Sequence, residues 1–305
     1  MTRYAYFTVD VFTDEVFGGN PLAVFPRAAG LNDRQMQTVA RELNLSETTF
    51  VFPPDDPAHT CKVRIFTPGA ELPFAGHPTL GTAHVLGGNG DIAADGDATE
   101  IVFEEGVGPV PVSISRQSAN RSFAQLSVSM LPEFGPPAPS REDLAAVLAI
   151  SPDDIPADTP IEAVSCGVPF LFVPVSSLDA MARLRPDMAR WTEVLGGYWA
   201  TEIFAWTRET VNDNADVHAR MFGPMIGIAG DPATGGAAAA LGGYLGVREG
   251  PETGTARWGV EQGLEMGRPS FLEVEADKRA GEITAVRVGG TTVPVGRGEM
   301  DIPAL

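Results

Sequence analysis

Apolar and polar positions change rhythm repeatedly along the first 130 residues. Six short runs, "YAYFTVDVF" (4–12), "PLAVF" (21–25), "TTFVF" (48–52), "CKVRIF" (61–66), "EIVFE" (100–104) and "VPVSIS" (110–115), are rich in β-branched and aromatic residues and of strand length. The period lengthens in "LNDRQMQTVAREL" (31–43), where Met36, Val39, Ala40 and Leu43 recur at helical spacing. Asn32 can cap this helix, with Gln35 three residues on completing a capping box. A second helix is predicted over "PTLGTAHVL" (78–86), with Pro78 at its first position. Strands wrapped around one or two helices, rather than alternating with them, predict an α+β lobe with a curled, mostly antiparallel sheet.

The pattern then recurs. "GNPLAVFP" (19–26) returns as "GVPFLFVP" (167–174), each followed by a helix-like stretch, the second being "SSLDAMARLRPDMARW" (176–191). "ETTFVF" (47–52) matches "EIFAWT" (202–207), "VRIFTP" (63–68) matches "ARMFGP" (219–224), and "AGHPT" (75–79) matches "AGDPAT" (229–234). "EEGVGPVPVSI" (104–114) loosely echoes "EQGLEMGRPSFLEV" (261–274), and the helix 78–86 has its counterpart in "TGGAAAALGGYL" (234–245). One such match is chance; this many in one order imply a duplication and two pseudo-symmetric lobes, residues 1–130 and 131–305. The Pro-rich stretch "MLPEFGPPAPS" (130–140) suits the boundary.

Composition narrows the function. The 305 residues carry a net charge of -19 and no run of Lys or Arg, which excludes nucleic acid and anionic membranes as partners. No apolar run is long enough to span a bilayer and no signal-peptide core opens the chain, so a cytoplasmic protein is expected. The four histidines, His59, His77, His84 and His218, show no zinc spacing, and no metal is expected. "GVGPVP" (106–111) opens no helix and is no dinucleotide loop. The remaining chemistry sits at the two repeated helix starts. Unpaired N–H groups and partial positive charge there can hold a small anion, even in an acidic protein. His77 and Asp231 occupy matching places at these starts, each before a proline; taken alone, Asp231 reads first as a structural N-cap and His77 suits a structural role as well as a catalytic one. Glu47, beside Ser46, stands where the first helix gives way to a strand, and by itself reads as a surface charge. His84 is expected to pack inside its helix.

Taken together, "GNPLAVF", "LNLSETTFV", "IFTPGAELPFAGHPTLGTA", "GDPATGGAAAALGGYL" and "QGLEMGRPS" resemble the PhzF-like phenazine-biosynthesis proteins over nearly the whole chain. The resemblance implies the diaminopimelate epimerase-like fold, in which each of two lobes curls a sheet around a central helix. It implies a cofactor-independent isomerase acting like trans-2,3-dihydro-3-hydroxyanthranilate isomerase on a small anionic substrate, and a homodimer. It places the proton-shuttling glutamate on Glu47 and the family's histidine and aspartate on His77 and Asp231. Ser46, Gly76, Gly235 and Gly236 become substrate-binding candidates. The family often has Ser where this chain has Gly236, which leaves an isomerase or epimerase of another small amino-acid-like acid, or a non-catalytic binding protein, as alternatives. Neither Cys61 nor Cys166 lies in a repeated helix-start loop, so a two-thiol racemase mechanism is not expected.

Overall fold

The computed structural model describes residues 1–92, 98–118 and 120–304. It is a mixed α and β structure with a closed β-barrel core and few helices, and it divides into two compact units: Met1–Ser127 with Gly289–Leu305, and Val128–Val288.

The first unit begins with strand β1 (Thr2–Val11) and continues through β2 (Asn20–Phe25), helix α1 (Asp33–Leu43), β3 (Glu47–Phe52), β4 (Cys61–Phe66), β5 (Glu71–Leu72), helix α2 (Gly76–Gly88), β6 (Thr99–Glu105), β7 (Gly108–Ser118) and β8 (Arg121–Ser127). β1 and β2 pair antiparallel, β2 and β3 parallel, and β3 and β4 antiparallel. β4 then pairs antiparallel with β5 and parallel with β6, and β6, β7 and β8 follow as antiparallel neighbours. Each parallel step needs a crossover, which α1 supplies for the first and α2 for the second. The α1 capping box forms as predicted, with Asn32 Oδ1 accepting from the Gln35 N–H and Gln35 Oε1 accepting from the Asn32 N–H, both at 2.9 Å.

α2 is apolar or small on every side and almost wholly buried, packed against β1, β2, β3, β7 and β8. A Cβ at Gly81 would lie 2.6 Å from Leu22 Cδ2 and 2.8 Å from Val11 Cγ2, so the missing side chain lets the helix approach the strands. The helix starts at Gly76, two residues before the predicted position. Pro78 has no N–H to donate, and in the first turn that N–H has no helical acceptor anyway, so proline fits there too.

The second unit runs through β9 (Glu133–Phe134), α3 (Arg141–Leu148), β10 (Glu162–Ser165), β11 (Pro169–Pro174), α4 (Leu178–Arg183), α5 (Met188–Leu195), β12 (Glu202–Thr207), β13 (Val217–Gly223), β14 (Ile228–Asp231), α6 (Gly235–Gly246), β15 (Gly254–Gln262), β16 (Ser270–Arg279) and the start of β17 (Glu282–Ile302). Its pairings repeat those of the first unit in kind and order: β10/β11 antiparallel, β11/β12 parallel, β12/β13 and β13/β14 antiparallel, β13/β15 parallel and β15/β16 antiparallel. The single helix expected over 176–191 is two, α4 and α5, because Leu184 leaves the helical region two residues before Pro186. α3, capped by Ser140, was not foreseen; with α4 and α5 it covers β11 and β12 around Trp191, Leu171 and Ile203.

The division into residues 1–130 and 131–305 needs one correction. Gly289–Leu305 belongs to the first unit, because the end of β17 pairs antiparallel with β1 from Thr292 opposite Val11 to Ile302 opposite Thr2. β17 also pairs with β8, which closes the first unit's ring of strands.

Candidate active site

Glu47 is the first residue of β3. α1 ends on Asn44, which adopts the left-handed conformation at φ 50° and donates its N–H to Ala40 O. Three residues later the chain enters the parallel pair with β2, Glu47 opposite Leu22. That junction fixes Glu47 on both sides and leaves it only 9% exposed, with Ser46 half-buried before it. Gly76 and His77 open α2, both buried. No side chain caps this helix, whose N-cap is Ala75, and its first turn carries no acidic residue. His77 lies inside the first turn, not ahead of the helix.

The structure brings Glu47 and His77 together. His77 Nε2 and Glu47 Oε2 are 3.0 Å apart, and both side chains are nearly inaccessible. The approach is too oblique for a hydrogen bond, and neither atom has any other hydrogen-bond partner. Buried polar atoms are normally bonded. A carboxyl and an imidazole held in contact with spare bonding capacity can pass a proton between them, or to a third group that enters.

In the second unit Asp231 ends β14, half-buried. Its Oδ2 accepts from Thr234 Oγ1 at 2.5 Å, and its main-chain oxygen accepts from Gln262 Nε2 at 2.8 Å. Thr234 is the N-cap of α6, and Gly235 and Gly236 are its first residues. Crowding does not enforce Gly236: a Cβ there would meet nothing nearer than Phe170 Cε2 at 3.8 Å.

Several buried polar groups were not singled out from the sequence. Glu202 opens β12 as Glu47 opens β3, facing Phe170 of its parallel neighbour, and accepts from Thr201 Oγ1 at 2.8 Å. The match of "ETTFVF" with "EIFAWT" carried that signal. Glu105, at the end of β6, contacts Thr79 in the first turn of α2. His218 lies between two carboxylates, 2.8 Å from Glu261 through Nδ1 and 2.9 Å from Glu265 through Nε2. Burial disfavours its charge, but bonds to Glu265 and Glu261 outweigh this and raise its pKa. Each ring nitrogen thus faces a carboxylate oxygen, which ties His218 to both side chains.

His84 is buried in α2, bonded through Nδ1 to Ser122 Oγ at 2.8 Å; burial first, then nearby Arg116, lowers it to about 4, so it stays neutral. It lines a cavity of about 380 Å³ with Arg116, Arg121 and Ser122, at the other end of α2 from His77. Burial pushes the thiols of Cys61 and Cys166 up to about 12, far from nucleophilic thiolates. Among the described residues no three His, Cys, Asp or Glu side chains cluster as metal ligands, and no helix is long and apolar enough to cross a membrane.

Comparison with known proteins agrees with this architecture. The family profile described as "Phenazine biosynthesis-like protein" matches residues 9–298. An uncharacterised isomerase of Mesorhizobium japonicum is 40% identical over 97% of this chain and 98% of its own length. The trans-2,3-dihydro-3-hydroxyanthranilate isomerase of Pseudomonas fluorescens is 36% identical over 96% of this chain and 98% of its own. The crystal structure of a Bacillus anthracis phenazine biosynthesis protein of the PhzF family superposes with a TM-score of 0.90 at 28% identity, covering 99% of this chain and 100% of that one. A probable proline racemase from Agrobacterium radiobacter shares the fold, with a TM-score of 0.62 at 12% identity over 98% of this chain and 93% of its own. With a profile match over nearly its full length, and relatives aligned from end to end, the chain belongs to the PhzF family of phenazine biosynthesis-like proteins.

Proposed function

We propose that the protein is an isomerase that moves a proton on a small carboxylate-bearing substrate, with Glu47 as the acid/base group. The observation that carries the proposal is the buried Glu47–His77 contact, 3.0 Å between atoms that lack hydrogen bonds. The isomerase relatives support the reaction class, and the 36% identical Pseudomonas fluorescens enzyme supports trans-2,3-dihydro-3-hydroxyanthranilate or a close analogue as substrate.

In this reading ionised Glu47 removes a proton from an activated C–H, and the electron pair spreads into the adjoining conjugated system. The same carboxyl then returns the proton to a different carbon, so the double bond moves and no net proton is consumed. His77 steadies the charge on Glu47 while it is ionised and hydrogen-bonds substrate. The uncapped start of α2 offers backbone N–H groups for the substrate carboxylate. Asp231, Gly235 and Gly236 are the candidate functional residues of the second unit, on the strength of their matching place in the repeat. The step uses side chains alone. The shared pairing order also supports reading the two units as duplicated lobes.

A second reading has a specific basis. Gly236 supplies no hydroxyl where the family often has Ser, and nothing in the packing demands the loss. This favours a related small acid over dihydrohydroxyanthranilate itself. Incubation with dihydrohydroxyanthranilate in deuterated water, followed by NMR, tests both readings. Glu47-dependent deuterium incorporation supports the first. Binding without exchange, or no binding, moves the assignment to another substrate.

A further inference from the structure

Thr79 Oγ1 lies 2.8 Å from Ala75 O and 2.7 Å from Glu105 Oε1. A threonine hydroxyl has one proton to donate. If it donates to the Ala75 carbonyl, the second short contact needs a proton from Glu105. The remaining oxygen, Glu105 Oε2, is buried without a partner. A carboxylate anion with a bare buried oxygen is costly, and a neutral acid much less so.

The second unit contains a related arrangement, at the N-cap of its helix, in which the donor is an amide. "EEG" (104–106) matches "EQG" (261–263), so Gln262 stands where Glu105 does. Gln262 Nε2 donates to Thr234 Oγ1 at 3.0 Å, and Thr234 Oγ1 donates to Asp231 Oδ2 at the start of α6. A permanent donor therefore feeds a threonine hydroxyl, which bonds back to the segment leading into the helix. The neighbouring pair also corresponds. Glu104 accepts from the N–H groups of Asp55 and Asp56 and contacts His59, while Glu261 accepts from those of Val211 and Asn212 and contacts His218.

We propose that Glu105 is a positioning residue held as a neutral carboxylic acid, whose O–H donates to Thr79 Oγ1 and so fixes the first turn of α2, which carries His77. This inference rests on the reading of Glu47 and His77 as the acid/base pair. Burial agrees with it, raising Glu105 to about 8. The titratable groups around it are Cys61 on β4, a neutral thiol; Glu104 beside it on β6, held down to about 2 by the Asp55 and Asp56 N–H groups and His59; Asp91, which with Glu105 and Glu104 acts on Cys61; and His77 itself, two residues before Thr79. Above the pH at which Glu105 ionises, the donor is lost and His77 shifts.

The test uses 13C-glutamate-labelled full-length protein, with the Glu105 carboxyl signal identified by its absence in Glu105→Gln. The expected signal is that of a protonated acid at neutral pH, ionising near pH ~8. With dihydrohydroxyanthranilate as probe in deuterated water, Glu105→Gln should keep exchange close to wild type at neutral pH and lose the alkaline fall of the wild-type profile. Glu105→Ala should lose about ten- to a hundredfold, the scale of a misplaced catalytic group. A Glu105 carboxyl already ionised at pH ~6 would overturn the proposal. So would a Glu105→Gln profile with an unchanged alkaline limb. The NMR readout needs no turnover, so failure of the proposed reaction and failure of this inference are separable.

Discussion

The two units share a pairing scheme and differ in what they place on it. Both open the strand after the first parallel crossover with a buried glutamate. In the first unit that residue, Glu47, touches an imidazole; in the second, Glu202 accepts from the hydroxyl of Thr201. The polar residues at the matching places sit differently: His77 lies in the first turn of α2, whereas Asp231 ends the strand before α6. His77 has a nitrogen without a hydrogen bond, whereas Asp231 is bonded to Thr234, itself held by Gln262. The same pairing scheme thus carries a glutamate–histidine contact without a hydrogen bond in one unit and a hydrogen-bonded aspartate in the other. A shared pairing scheme leaves a few side chains to set the two units apart.

The sharpest way to break this contrast is to remove each glutamate in turn. Glu47→Gln is expected to lower deuterium exchange by about 10²–10⁴-fold, or roughly 3–5 kcal/mol of transition-state stabilisation. Glu202→Gln should cost less than about tenfold, as a residue that transfers no proton. Equal losses, measured side by side in steady-state rates, would end the distinction. The histidine–glutamate pairs come next. His218→Ala strands the buried carboxylate Glu261 and should cost about 3–5 kcal/mol in denaturant unfolding. His59→Ala, at a more accessible pair with Glu104, should cost about 1 kcal/mol or less. The sign of the pH effect follows from the raised pKa of His218. Its stabilisation is complete below the unfolded-state value and is lost as pH rises through the folded one, so the melting temperature should fall on the alkaline side and not in His218→Ala. Gly81→Ala, pressing on Leu22 and Val11, should cost about 1–3 kcal/mol by the same unfolding measurement. Gly236→Ser has room and should change stability by less than about 0.5 kcal/mol. Its effect should appear in KM for dihydrohydroxyanthranilate, falling if that acid is the substrate.

Much of the framework was legible because it is local. Asn32 and Gln35 announce the start of α1, and the ordered matches between the halves announce a repeated pairing scheme. What escaped depended on distant partners. The start of α2 could not be placed from Pro78, since proline fits any position whose N–H has no acceptor. The end of β17 reads like any late strand, and only pairing with β1 assigns it to the first unit. Glu47 by itself reads as a surface charge, because nothing beside it in sequence reveals that His77 meets it thirty residues on. Glu105 was invisible for a similar reason: its role lies in a proton shared with Thr79, and the clue was an amide at the matching place in the other half.

The last strand of the first barrel has a consequence for how the protein comes into being. Translation delivers Gly289–Leu305 after the whole second unit, so the ring that surrounds α2 stays one stave short until that segment emerges. Until then β1 offers an open edge to any passing chain. A product cut before that closing segment would thus lack more than a tail: the very barrel that buries His77 would be left ajar.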